Sequence, residues 1–168
     1  GISVLDSVFN TGDDGIVFDS GNCNALRVPF LPQPPPATRS AVLRNLTITS
    51  HSSAIKFEQI FQHNHSAIQD MVIEDIRILG SSRGLGIQQR TGAGTISNIT
   101  FRNIQIETAY PTGDNWWGSG EGIWITNVAE TVNRAAEDGG LSGTIRDIVF
   151  ENMSIRSENS ILLSGQWH

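Results

Sequence analysis

Apolar residues recur along this chain at alternate positions in short runs, and the runs themselves recur. Take Asp6, Asn45, Asp75, Asn103 and Asn152 as one register position. Apolar side chains then stand two residues earlier (Val4, Leu43, Ile73, Phe101, Phe150) and four earlier (Ile2, Ala41, Met71, Ile99, Ile148). They stand again three residues later (Phe9, Ile48, Ile78, Ile106, Ile155). Within each run the period is two, that of a strand and not of a helix. Each copy reads as an alternating strand, an Asn or Asp corner, and a second short strand. A third apolar strand follows in every copy, over 16–18, 54–57, 86–88, 122–125 and 161–163.

The corner positions are 39, 30, 28 and 49 residues apart. A constant unit with variable gaps means one structural rung with loops of different length. Short strands stacked rung on rung predict an all-β parallel β-helix, about five rungs of a longer protein. An Asn at each corner can hydrogen-bond the turn backbone above and below. The gaps over about 22–40, with Leu31-Pro32-Gln33-Pro34-Pro35-Pro36, and about 127–140 are expected to be surface loops, because proline cannot join a central ladder. Ala135-Ala136-Glu137 suits a turn of helix in the second.

At 168 residues the chain is about one domain, and it opens at Gly1 already inside a strand pattern, so it reads as a single fragment of a larger protein. A net charge of -6 argues against a nucleic-acid surface. No apolar run reaches membrane-spanning length. Lys56 is the one lysine, so a polyanion would have to be met by a few placed arginines. Cys23 has no internal partner, and His63 and His65 lack metal-ligand spacing, so no metal or cofactor is expected. Of the sequons at Asn45, Asn64, Asn98 and Asn152, Asn64 best suits glycosylation; the others fall on corners or strand starts.

Equivalent positions of neighbouring rungs lie roughly 4.8 Å apart. Asp13 and Asp14 precede the third strand of the first copy, and His51 that of the second. Gln88 and Arg90 lie in and just after that of the third. Each has a bland alternative. Paired aspartates at turns are mostly solvated, a histidine among serines is mostly a surface residue, and Arg90 before Thr-Gly suits a solvated strand end. In register they form a line of carboxylates, imidazole, amide and guanidinium suited to acid/base work on an anionic substrate. Trp116-Trp117 reads equally as a sugar-stacking platform or as cover for the edge of the stack.

The stretch Thr11-Gly12-Asp13-Asp14-Gly15-Ile16-Val17-Phe18-Asp19-Ser20-Gly21 resembles the double-aspartate motif of glycoside hydrolase family 28, the polygalacturonases and their relatives. Gly84-Leu85-Gly86-Ile87-Gln88-Gln89-Arg90 with 98–104 is similar to that family's later basic motif and following strand, and Trp116-Trp117-Gly118 with Glu121 to a segment of bacterial-type members. The resemblance covers nearly the whole chain. It implies a right-handed parallel β-helix and a secreted or periplasmic hydrolase, monomeric when full length, that cleaves galacturonic-acid-containing pectic polysaccharide with inversion. Asp13 would be the general acid and Asp14 one of two carboxylates activating water. The third would lie upstream of Gly1, so the fragment alone is expected to be inactive, and poorly soluble because its end strands expose edges. The family's Gly-His-Gly is here Ser50-His51-Ser52, its Arg-Ile-Lys is Gln88-Gln89-Arg90, and the lysine often following the Asp pair is Asp19. These departures suit a decorated or different uronic-acid-containing chain as well as plain polygalacturonate. A non-catalytic carbohydrate-binding β-helix and a calcium-dependent pectate lyase are the alternatives.

Overall fold

A computed structural model describes residues 1–19, 37–59, 67–89, 94–109, 118–127 and 143–165. Among them are eleven strands and no helix. Five long strands, β1 (Ile2–Thr11), β4 (Ala41–Ser50), β6 (Ala67–Ser81), β8 (Thr95–Thr108) and β10 (Thr144–Arg156), lie side by side in that order, with short β3 (Thr38–Arg39) beside β6. Five shorter ones form a second sheet in the order β2 (Ile16–Asp19), β5 (Ser53–Gln59), β7 (Arg83–Gln89), β9 (Glu121–Asn127) and β11 (Leu162–Gly165). Every pairing is parallel. The chain passes from one sheet to the other and back, and each pass adds one strand to both.

The expected pair of strands flanking each Asn or Asp corner is one continuous hydrogen-bonded strand. Within β4, Leu43 points inward, Arg44 and Asn45 both face outward, and Leu46 is inward again. The break in alternation comes from a left-handed residue, Asn45 at φ 54°, and Asp6, Asp75, Asn103 and Asn152 share that conformation. Asn and Asp tolerate it better than other residues with a Cβ. Their side chains bond one another and not the turn backbone. Asn45 Nδ2 donates to Asp6 Oδ1 at 2.7 Å, Asn103 to Asp75 at 2.9 Å and Asn152 to Asn103 at 2.8 Å. Asn103→Ala loses a donor and an acceptor and leaves alanine at φ 56°. It is expected to cost about 1–2 kcal/mol by urea unfolding; an unchanged midpoint would contradict this.

A second left-handed corner stands five residues before the first, at Ser40, Asp70, Asn98 and Asp147. There Asn98 Nδ2 donates to Asp70 Oδ1 at 2.8 Å.

Between the sheets the register stacks apolar side chains in rows. Leu43, Ile73 and Phe101 are fully buried, as are Ile48, Ile78 and Ile106, and Ile55 with Leu85. Slipping one residue would turn every such row outward, so burial fixes the register. Phe18, Phe57, Phe101 and Phe150 form a continuous aromatic column across the interior. At Gly84 a Cβ would stand 2.3 Å from the Gly122 carbonyl oxygen and 2.7 Å from Ile106 Cγ2, so only glycine lets the turn into β7 come this close to the core. The outermost strands are thinly covered: Val8 is 80% and Leu163 70% exposed.

Candidate active site

The site is set by the turns that enter the second sheet. Thr11 pairs with Ser50 and Ile16 with Ile55. The connecting stretches 12–15 and 51–54 are equally long, so they stack one for one. The His51 N–H donates to the Thr11 carbonyl at 3.1 Å, and the Gly15 N–H to that of Ser53 at 2.9 Å. Asp14 therefore lies beside Ser53, Asp13 beside Ser52, and His51 beside Gly12. The Asp13 carbonyl accepts from the hydroxyls of Thr11 and Ser50, each at 2.7 Å, which pins the turn.

The two aspartates meet different surroundings. Asp13 is exposed, and its Oδ1 accepts the Asp14 N–H at 2.8 Å. Asp14 lies against the sheet. Its Oδ1 accepts from Ser52 Oγ at 2.6 Å and from the Ser53 N–H at 3.0 Å, and its Oδ2 from Lys56 Nζ at 3.1 Å. Lys56 also pairs with Glu58 at 2.7 Å. Burial pushes the Asp14 pKa up, but the Ser52 hydroxyl, the Ser53 amide and the Lys56 ammonium together outweigh it and hold the carboxyl below its ordinary value.

A carboxylate whose folded pKa is depressed adds stability that is complete above its unfolded pKa and is lost as pH falls through the folded one. The wild type is thus expected to exceed Asp14→Asn in urea midpoint at neutral pH. The gap should narrow as pH falls below the ordinary value of 3.8. A gap that is constant or grows in acid would contradict the assignment.

One register row further on, Ser53 pairs with Arg83 and Arg83 with Glu121. Arg83 meets Glu121 through Nε at 3.3 Å, and its guanidinium stacks 3.8 Å from the centre of the Trp124 ring. Glu121 also accepts the Ser119 N–H at 2.7 Å. Burial raises its pKa, and the Ser119 amide, its own backbone amide and Arg83 reverse that to a net lowering. The next row sets Lys56, Gly86 and Trp124 side by side, and the one after it Glu58, Gln88 and Thr126. Lys56, Glu58, Arg83, Glu121 and Trp124 are not among the residues that spacing within the sequence singles out. Aligning the third strands of the copies would set Arg83 and Glu121 in one row with Asp14.

Asp13, Asp14 and Gln88 thus lie at or on the second sheet, with Gln88 buried. His51 is exposed, and its ring makes no hydrogen bond among the described residues; only its backbone is held, the carbonyl accepting from Ser82 Oγ at 2.9 Å. Arg90, Trp116, Trp117, Cys23, His63, Asn64, His65, 31–36 and 128–140 lie outside the described residues. Within the expected loops, Thr38–Arg39 forms β3 and Asn127 closes β9. Among the described residues no group of three or more His, Cys, Asp and Glu side chains could hold a metal ion. Comparison of the chain with family models, curated proteins and solved structures returned no significant match.

Proposed function

We propose that this chain is a stretch of a right-handed parallel β-helix whose second sheet carries acid/base hydrolysis, with inversion, of a uronic-acid-containing pectic polysaccharide. The observation that supports the reading is the contrast in surroundings between adjacent aspartates. Asp14 is held ionised by Ser52, Ser53 and Lys56, as a base must be, while Asp13 stands exposed beside it. Asp13 gives its proton to the glycosidic oxygen as the bond to the anomeric carbon breaks. Water, held by Asp14 and by the further carboxylate that the family resemblance places upstream, adds to that carbon from the opposite face, and the one proton it loses passes to Asp14. Asp14 Oδ1 accepts two bonds already, but Oδ2 accepts only that of Lys56 and keeps one lone pair for this.

Both Asp14 oxygens are nevertheless engaged, which favours a second reading: a carbohydrate-binding face without turnover. Products separate the two. Protein from the full reading frame that encodes this chain is expected to release reducing ends from polygalacturonate or from a pectic polymer carrying neutral sugars. Binding without release would support the second reading, and ultraviolet-absorbing unsaturated ends would replace hydrolysis by elimination.

A further inference from the structure

Glu58 is a carboxylate that the fold does not call for. It stands on β5, two residues after Lys56 and on the side of the strand opposite the core residues Ile55 and Phe57. Only 5% of its surface is exposed. Its register neighbour on β7 is Gln88, also buried, so an uncharged side chain of the same size fits this row. Burying a charge is costly unless it is paired and hydrogen-bonded, and charged groups kept in spite of that cost gather where chemistry is done. The partner of Glu58 is Lys56, and Lys56 also bonds to Asp14, the base of the proposed hydrolysis.

The two bonds are unequal. Lys56 Nζ lies 2.7 Å from Glu58 Oε2 and 3.1 Å from Asp14 Oδ2. Ammonium–carboxylate bonds typically span about 2.7–2.9 Å, so Glu58 is the closer partner and Asp14 is held at longer range. The Ser52 hydroxyl and the Ser53 amide occupy Asp14 Oδ1, which leaves Oδ2 as the oxygen able to take a proton from water. We infer that Glu58 is a positioning residue of that reaction: it draws the Lys56 ammonium off Asp14 Oδ2, so that this oxygen has a cation nearby and still a lone pair for water. This rests on the acid/base reading of Asp13 and Asp14. The other titratable groups around the two carboxylates, among the described residues, are Asp13 and His51, both exposed, Asp19, beside Glu58 in register, and Arg83 with Glu121, which neutralise each other. Without Glu58 the ammonium bonds Asp14 more closely and makes it a weaker base. Without Lys56 the half-buried Asp14 loses its cation and becomes a stronger one.

Two readouts on the full-reading-frame protein test this. Reducing-end release is followed against pH at saturating polymer, and the Asp14 carboxyl is titrated by carbon-13 nuclear magnetic resonance of aspartate-labelled protein, its signal assigned with Asp14→Asn. Glu58→Gln, which keeps an oxygen for Lys56, is expected to lower the maximal rate about threefold and to move the acid limb of the profile and the Asp14 titration to lower pH. Lys56→Met is expected to move both to higher pH. The double variant, which leaves neither charge of the pair behind, is expected to fall between the two. A residue with a packing role alone would change the unfolding midpoint and leave the acid limb in place. An unmoved Asp14 titration in Glu58→Gln, or shifts of the same sign in both single variants, would overturn the role of Glu58. Opposed shifts without turnover remove the hydrolysis alone, and turnover with an unmoved titration removes the role of Glu58 alone.

Discussion

Asp14→Asn is expected to lower turnover of a pectic polymer by at least about 10²-fold, and Asp13→Asn to do the same, with both variants still binding the polymer. The two losses have different origins. The amide of Asp14→Asn keeps an oxygen for the Ser52 hydroxyl and the Ser53 amide but turns its NH2 group toward Lys56, so residue 14 can no longer take the proton of water. The amide of Asp13→Asn still accepts the N–H of residue 14, which keeps the turn, but it has no acidic proton to give the leaving oxygen. Initial rates at saturating polymer, set beside the affinity of each variant, separate this from a binding role. A face that only binds would lose affinity and would have no turnover to lose. Wild-type rates in either variant would exclude that carboxyl from the chemistry.

The largest expected effect on stability is that of Phe101→Ala. Phe101 is fully buried on β8, stacked on Phe150 at 5.1 Å and edge-on to Phe57 at 5.7 Å. Phe57 belongs to the second sheet, so this ring spans the interior and couples the two sheets. Removing it leaves a cavity that rigid ladders above and below cannot close, and the loss should be about 3–5 kcal/mol. Urea unfolding followed by circular dichroism measures it. A loss under about 1 kcal/mol would mean that the column is not packed as described.

Corner and core positions are legible in the sequence because one physical event sets them: a left-handed Asn or Asp shifts the strand's phase, so apolar positions fall two before and three after it. The earlier corner is not. It is Ser40 in one copy, Asp70 and Asp147 in two and Asn98 in another, and no single residue type marks it. His51 stands just ahead of β5, as the aspartates stand ahead of β2, which suggests convergence. Equal turn lengths set His51 beside Gly12, next to Asp13, and it is Ser52 and Ser53 that reach the Asp14 carboxylate. The Lys56–Asp14 and Arg83–Glu121 pairs arise only through cross-strand register, so composition and spacing within one copy could not reveal them, whereas Lys56 and Glu58 pair two residues apart along β5.

That Asp13 and Asp14 form an inverting acid/base pair on the second sheet is tested most directly by the anomeric form of the first product. Proton nuclear magnetic resonance of a pectic polymer, followed from the moment the full-reading-frame protein is added, should show the new reducing end in the configuration opposite to that of the bond cleaved, and no such signal with Asp13→Asn. A retained configuration, an unsaturated end, or the same signal from Asp13→Asn would contradict the account.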